Sequence, residues 1–132
     1  MDLLYYLILR RVFFFGGKAD ESMNAGEIFP QPVEYDNEKV VKRMDHILGK
    51  NFSLISKSPL EISEDHYEFL NLIECKLVIL EKKYIEKNPW MKSFMEKDRA
   101  FLVRPDRYIF GSTNSNISID MLINDLKMRI MN

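Results

Sequence analysis

The stretch Arg99–Ser112, RAFLVRPDRYIFGS, does most to limit what this chain can fold into. Ala100-Phe101-Leu102-Val103 is a short apolar run of the kind that fills a sheet interior, and Tyr108-Ile109-Phe110 resumes a β-rich aromatic run. Between them Pro105-Asp106-Arg107 is a turn signal: proline presets φ at the first corner, and an aspartate side chain can bond back to the backbone. Two strand signals joined by such a turn predict a β-hairpin. Ile119, Leu122, Ile123, Leu126 and Ile130 form a stripe at helical spacing, so a final amphipathic helix can lie on that hairpin. Arg104 and Asp106 admit two readings, a ligand-binding pair or a local ion pair that fixes the turn with Pro105. The second is the expectation.

Upstream, Phe52-Ser53-Leu54-Ile55-Ser56 alternates bulky and small residues and predicts a strand. Ser63 offers an N-cap, with Glu64 and Asp65 in the first turn where the helix dipole favours anions. Ile62, His66, Phe69, Leu70 and Ile73 then predict a helix running to about Glu74. Leu77-Val78-Ile79-Leu80 reads as a buried strand reached by a βαβ crossover and parallel to the first. Asn88-Pro89 starts another helix whose apolar face is Trp90, Met91, Phe94 and Met95, and Ser115-Asn116 is a cap region before the last one. Nearer the N-terminus, the prolines hold Gly26–Val33 extended, and Val40–Leu48 reads as a short helix or turn ended by Gly49. The order β-α-β-α-β-β-α predicts an α/β fold, a thioredoxin-like layer arrangement with a mixed central sheet and an extra N-terminal helix.

That extra helix covers residues 2–12, Gly16-Gly17 ends it, and Lys18–Gly26 is a polar linker. The domain expectation is therefore an apolar helix and linker over 1–25 and one α/β domain over 26–132. The helix and the run after it expose Leu3, Leu4, Leu7 and Ile8, then Phe13, Phe14 and Phe15, interrupted by Arg10-Arg11. The run is too short to span a bilayer and lacks the basic lead of a secretory signal. A membrane-surface anchor, an interface helix and a helix packed on its own protein are the remaining readings; if the chain is dimeric, these seven residues are the expected contact. A net charge of −1 gives nucleic-acid binding no support. The lone Cys75 excludes an internal disulfide framework and fits a reducing compartment, most simply the cytoplasm.

Catalytic signals are thin. The chain has neither GxGxxG nor GxxxxGK[ST]. In a thioredoxin-like fold the redox pair follows the first strand, where this chain reads Ser56-Lys57-Ser58-Pro59. Cys75 beside Lys76 is either a thiol made reactive by its neighbour or a small apolar filler, and the filler is expected. His46 and His66 show no third ligand at metal-binding spacing, and an acid–base role for either is the minor reading. Met121, Met128 and Met131 read as core and interface.

Three pieces, taken together, carry a resemblance: Gly26-Glu27-Ile28-Phe29-Pro30-Gln31-Pro32, then Met44-Asp45-His46-Ile47-Leu48-Gly49-Lys50-Asn51-Phe52-Ser53-Leu54-Ile55, then Ala100-Phe101-Leu102-Val103-Arg104-Pro105-Asp106. In this order they resemble the C-terminal portion of FAD-dependent aromatic-ring hydroxylases of the 3-(3-hydroxyphenyl)propionate hydroxylase and phenol hydroxylase class. There G-x-(F/L)-x-P-Q-P leads out of the flavin domain, L-D-(D/E)-x-x-G-x-x-(F/W) enters a thioredoxin-like tail, and L-V-R-P-D-G opens its hairpin. The resemblance covers about Gly26 to the C-terminus. It implies a tail domain without redox cysteines that serves subunit contacts, FAD and NAD(P)H chemistry belonging to the larger N-terminal part. It also implies that the N-terminal apolar segment corresponds to the last helix of such a flavin domain. Two departures stand out: Arg107 occupies the position of the family's glycine, and Phe110-Gly111 replaces its Ala-Trp. If the first position needs φ > 0, a non-glycine residue costs roughly 1 kcal/mol there.

The expected function is a non-catalytic accessory domain for assembly or dimerisation, with no cofactor, catalytic residue or metal ligand of its own. Its expected partners are a second copy or a flavoprotein catalytic domain. The alternatives are a part in flavin-dependent hydroxylation, and a small-molecule or peptide-binding module using a cleft beside Lys57-Ser58-Pro59.

Overall fold

In a computed structural model describing residues 25–30, 33–36, 39–43, 47–96 and 99–131, the Pro105 turn joins two antiparallel strands as the sequence predicts. The elements in order are β1 (Val33–Asp36), β2 (Lys39–Arg43), β3 (Ser53–Ser56), α1 (Glu64–Leu72), β4 (Lys76–Ile79), α2 (Lys82–Lys87), α3 (Pro89–Phe94), β5 (Phe101–Val103), β6 (Ile109–Ser112) and α4 (Ile119–Met131). β1 and β2 form a separate antiparallel pair, and the other strands make one mixed sheet in the order β4-β3-β5-β6. β3 runs parallel to β4 and antiparallel to β5. The protein is thus α/β with a four-stranded mixed sheet.

Both faces of that sheet are covered. Leu54 and its cross-strand partner Leu102 point into one core with Phe52, Phe69, Leu70 and Phe110, closed by Leu122, Ile123 and Leu126 of α4. Ile55 and its partner Phe101 point into the other, with Val78, Met91, Met95 and Phe29. β3 is therefore buried along its whole length, as a central strand between two helical layers must be. In the second core Phe94 stacks on Phe101 at 4.5 Å between centroids, and Phe29 meets both rings edge-on at 5.5 and 5.7 Å. Such pairs contribute about 1 kcal/mol each beyond the area they bury.

Several expectations are corrected. Lys39–Arg43 is a strand, not the helix or turn expected over Val40–Leu48, so the element order carries two strands more than predicted. Two adjacent β-branched valines favour extended backbone, and pairing with β1 from Val33↔Arg43 to Asp36↔Lys39 satisfies the amides that a marginal short helix would have to satisfy alone. β4 is an edge strand rather than a buried one: Leu77 and Ile79 are 39% and 54% exposed. After it, helix begins at Lys82 instead of Asn88, and the chain makes two short helices where one was expected. Pro89 causes the break, since it forces Asn88 into extended backbone (φ −120°, ψ 98°). The Asn88 side chain then donates from Nδ2 to the Tyr84 carbonyl at 2.7 Å, ending α2 rather than capping α3.

Ser63 stands at the N-cap of α1, but its hydroxyl makes no capping bond. For α4 the capping hydroxyl belongs to Ser118, which accepts from the Met121 amide at 3.2 Å, and not to the expected Ser115-Asn116. The stripe from Ile119 to Leu126 is buried as predicted, whereas Met121, Met128 and Met131 are exposed and contribute nothing to the core. The N-terminal helix and its linker, with Leu3, Leu4, Leu7, Ile8, Phe13, Phe14 and Phe15, lie outside the described residues, as does His46. Among the described residues no helix is long and apolar enough to cross a membrane.

Candidate functional site

The hairpin turn is the meeting point of the three sequence pieces. Its own closure is local: the Arg107 amide donates to the Arg104 carbonyl at 2.9 Å, and the Arg104 amide to the Tyr108 carbonyl at 2.8 Å. Asp106 bonds back to the Tyr108 amide at 3.3 Å, and its other carboxylate oxygen takes Arg104 Nη2 at 2.6 Å. Arg104 is almost wholly buried there, so Arg104, Pro105 and Asp106 form the local ion-paired turn and not an open ligand site.

The first piece runs alongside this turn. Gly26 donates to the Ile109 carbonyl at 2.9 Å, Ile109 to the Glu27 carbonyl at 2.7 Å, and Phe29 to the Arg107 carbonyl at 2.9 Å, so 26–29 extends the sheet beyond β6. Phe29 is buried and Ile28 exposed, the alternation an edge segment produces.

The second piece arrives through Gly49. Arg107 Nη1 donates to the Gly49 carbonyl at 2.8 Å, and the Gly49 amide donates to Ser53 Oγ, also at 2.8 Å. A Cβ on Gly49 would stand 2.8 Å from the Lys76 Cβ, so only glycine lets this segment pass β4. Asn51 adds a bond from Nδ2 to Glu74 Oε2 at 3.1 Å. Arg107 itself has φ +73°, so the position does require the left-handed conformation that the glycine of the resembled family would adopt freely. The cost of about 1 kcal/mol is offset by the bond to Gly49, worth about as much.

The other end of the sheet holds the Ser56–Pro59 loop that follows β3. Ser56 Oγ donates to the Ser58 carbonyl at 2.7 Å, which tightens the loop. Cys75 lies at the α1–β4 junction, its thiol pushed up to about 12 by burial, which outweighs a backbone hydrogen bond from Leu54. The side chain is half-buried and packs against the first core. Beside the loop a cleft of about 410 Å³ opens between Lys57, Leu80, α2 and α3.

Near the same end His66 Nδ1 and Asp120 Oδ1 lie 2.5 Å apart, joining α1 to the first turn of α4. The same carboxylate oxygen accepts from the Ser63 amide at 3.3 Å, which satisfies the N–H of the N-cap residue itself. The His66 hydrogen bond holds the Asp120 carboxyl below its usual range, against a smaller opposing effect of burial. His66 is thereby a tie between helices. Among the described residues no cluster of three or more His, Cys, Asp and Glu side chains could hold a metal ion.

Sequence reading missed the Gly49–Arg107 tie, whereas it did place a cleft beside Lys57-Ser58-Pro59. The φ requirement at Arg107 was signalled only through the resemblance. The lysines around the cleft come from three separate elements and leave no spacing signal. No protein-family model matches the chain, and no curated protein matches it.

Proposed function

We propose that this chain is a non-catalytic accessory module, thioredoxin-like in fold, which works in assembly in the manner of the tail domain of FAD-dependent aromatic-ring hydroxylases. One observation carries the reading: the three pieces of sequence that resemble that tail, up to 80 residues apart, are tied to one another around the Arg104–Arg107 turn. Motifs that meet in this way serve to build a domain rather than to hold a substrate. The strand order β4-β3-β5-β6, with one parallel and two antiparallel pairings, supports the thioredoxin-like part of the reading. The serine-lysine-serine-proline loop at the redox position, together with a Cys75 thiol pushed up to about 12, supports the non-catalytic part.

On this reading FAD belongs to a partner or parent flavoprotein, and the chain works in the reducing cytoplasm. Its contact surface is Leu3, Leu4, Leu7, Ile8, Phe13, Phe14 and Phe15, directed at a second copy or at the flavoprotein. Burying several such side chains contributes roughly 1.5–3 kcal/mol each. Two measurements on the purified chain test the proposal. Sedimentation should give a dimer for the full chain and a monomer for one starting at Gly26; monomers in both reject the dimer contact. Titration with FAD should leave the flavin fluorescence unchanged, and stoichiometric quenching would reject the non-catalytic assignment.

A further inference from the structure

We infer that the outer edge of β4 takes up an extended segment of a partner protein as a further strand, one that turns apolar and basic side chains toward α1. The two edges of the sheet differ. Beyond β6, residues 26–29 close the edge through main-chain bonds, whereas among the described residues no strand lies outside β4. The Lys76 amide donates to the Phe52 carbonyl at 3.0 Å and the Leu80 amide to the Ser56 carbonyl at 2.9 Å, so these alternate residues face β3. The main-chain groups of Leu77 and Ile79 therefore point away from the sheet, at the spacing that another extended chain matches. Both side chains are exposed, and with Leu60, Ile62 and the 43% exposed Tyr67 of α1 they line a groove of about 180 Å³. That volume is below the range of sites that enclose small molecules, and suits single side chains delivered by a backbone held at the edge.

The bank of the groove is acidic. Glu61 stands between the lining residues Leu60 and Ile62, and Glu64 one helical turn before Tyr67, both exposed. A lysine or arginine turned into the groove lays its stem along Ile79 and Tyr67 and brings its charged head to these carboxylates. The same charges argue against a second copy as the occupant. Pairing β4 with itself would set two acidic banks on one face of the joined sheet, where like charges repel. The edge uses none of the residues that carry the assembly reading and does not depend on it.

The test uses the full chain, labelled with ¹⁵N, and the peptide acetyl-Thr-Val-Thr-Lys-Thr-Val-Thr-amide, whose valines and lysine share one face when extended. One control peptide carries glutamate in place of lysine, and another carries N-methyl groups on the valine and lysine nitrogens. The parent peptide should shift the amides of Tyr67, Leu77 and Ile79 saturably, and both controls should bind about tenfold more weakly or worse. Ile79→Lys, at an exposed edge position, should weaken the peptide about tenfold with an unchanged Tm, and Glu61→Gln/Glu64→Gln should abolish the preference for lysine over glutamate. No saturable shift, equal binding of the N-methylated or the glutamate peptide, or an unweakened Ile79→Lys variant would each overturn the inference. Shifts of the Leu77 and Ile79 amides on dilution without peptide would assign the edge to a second copy and overturn it too. Should Ile79→Lys fail to fold, the N-methylated peptide on the parent chain decides the outcome. Failure here leaves the sedimentation and FAD results untouched, so the two proposals fail separately.

Discussion

At the turn end of the sheet, segments far apart in the chain meet mainly through main-chain amides and carbonyls. At the loop end, side chains join one helix to another. Gly26, Glu27, Phe29 and Gly49 all reach the hairpin through backbone atoms, with only Arg107 supplying a side-chain donor. Around the loop, Asp120 holds His66 and the start of α1, Arg99 Nη2 donates to Ser112 Oγ at 2.6 Å, and Lys57 reaches across a cleft. Main-chain ties survive most substitutions and do not titrate; they suit a scaffold. Side-chain ties involving carboxylates respond to pH.

The comparison can be broken first at Asp106. The turn end contains one buried charge, that of Arg104, and Asp106 is its partner at 2.6 Å. Asp106→Ala removes that partner and the bond to the Tyr108 amide, and is expected to cost about 3 kcal/mol in urea unfolding. A loss below 1 kcal/mol would mean that the turn does not depend on the pair. Gly49→Ala comes next. Its new methyl would meet the Lys76 Cβ at 2.8 Å, so backbone must shift, with an expected loss of about 2 kcal/mol by the same measurement. An unchanged midpoint would show that the segment beside β4 can move freely, and would remove the tight packing attributed to this end.

How much of this was legible beforehand depended on whether the signal was local. The hairpin and α4 were readable because a proline-aspartate turn and a five-residue stripe are complete within a dozen residues. β2 was not, since Lys39-Val40-Val41-Lys42-Arg43 becomes a strand only by pairing with β1. α2 was hidden because its six residues are too few to show a period, and its end is set by the effect of Pro89 on Asn88. Of the turn end, the glycine at 49 was visible but its reason was not: the Cβ of Lys76 stands 27 positions away in sequence. A cleft beside Lys57-Ser58-Pro59 was among the expectations, but its lining by Lys82, Ile85 and Glu86 was not legible, because α2 itself was hidden.

Arg107 sharpens the comparison through opposite substitutions. Arg107→Ala keeps the strained φ of +73° and loses the bond to the Gly49 carbonyl, so it should destabilise by about 1 kcal/mol. Arg107→Gly loses the same bond but also the strain, and should be close to neutral. Equal losses in the two variants would show that strain plays no part and that the side chain acts through its hydrogen bond alone.

The smallest effect belongs to the loop end, and it should appear only in acid. Asp120 is held below its ordinary value of 3.8, chiefly by the hydrogen bond with His66. A carboxyl whose folded value is depressed contributes stability that is fully present above the unfolded value and is lost as pH falls through the folded one. Thermal melts of the parent and of Asp120→Asn should therefore differ most near neutrality and converge below about pH 4, the variant having the shallower acid limb. The turn-end variants Gly49→Ala and Arg107→Ala carry no such group, and their deficits should stay constant over the same range. Parallel pH profiles for Asp120→Asn and the parent would mean that the His66–Asp120 tie contributes nothing that titrates, and the loop end would lose the pH sensitivity attributed to it.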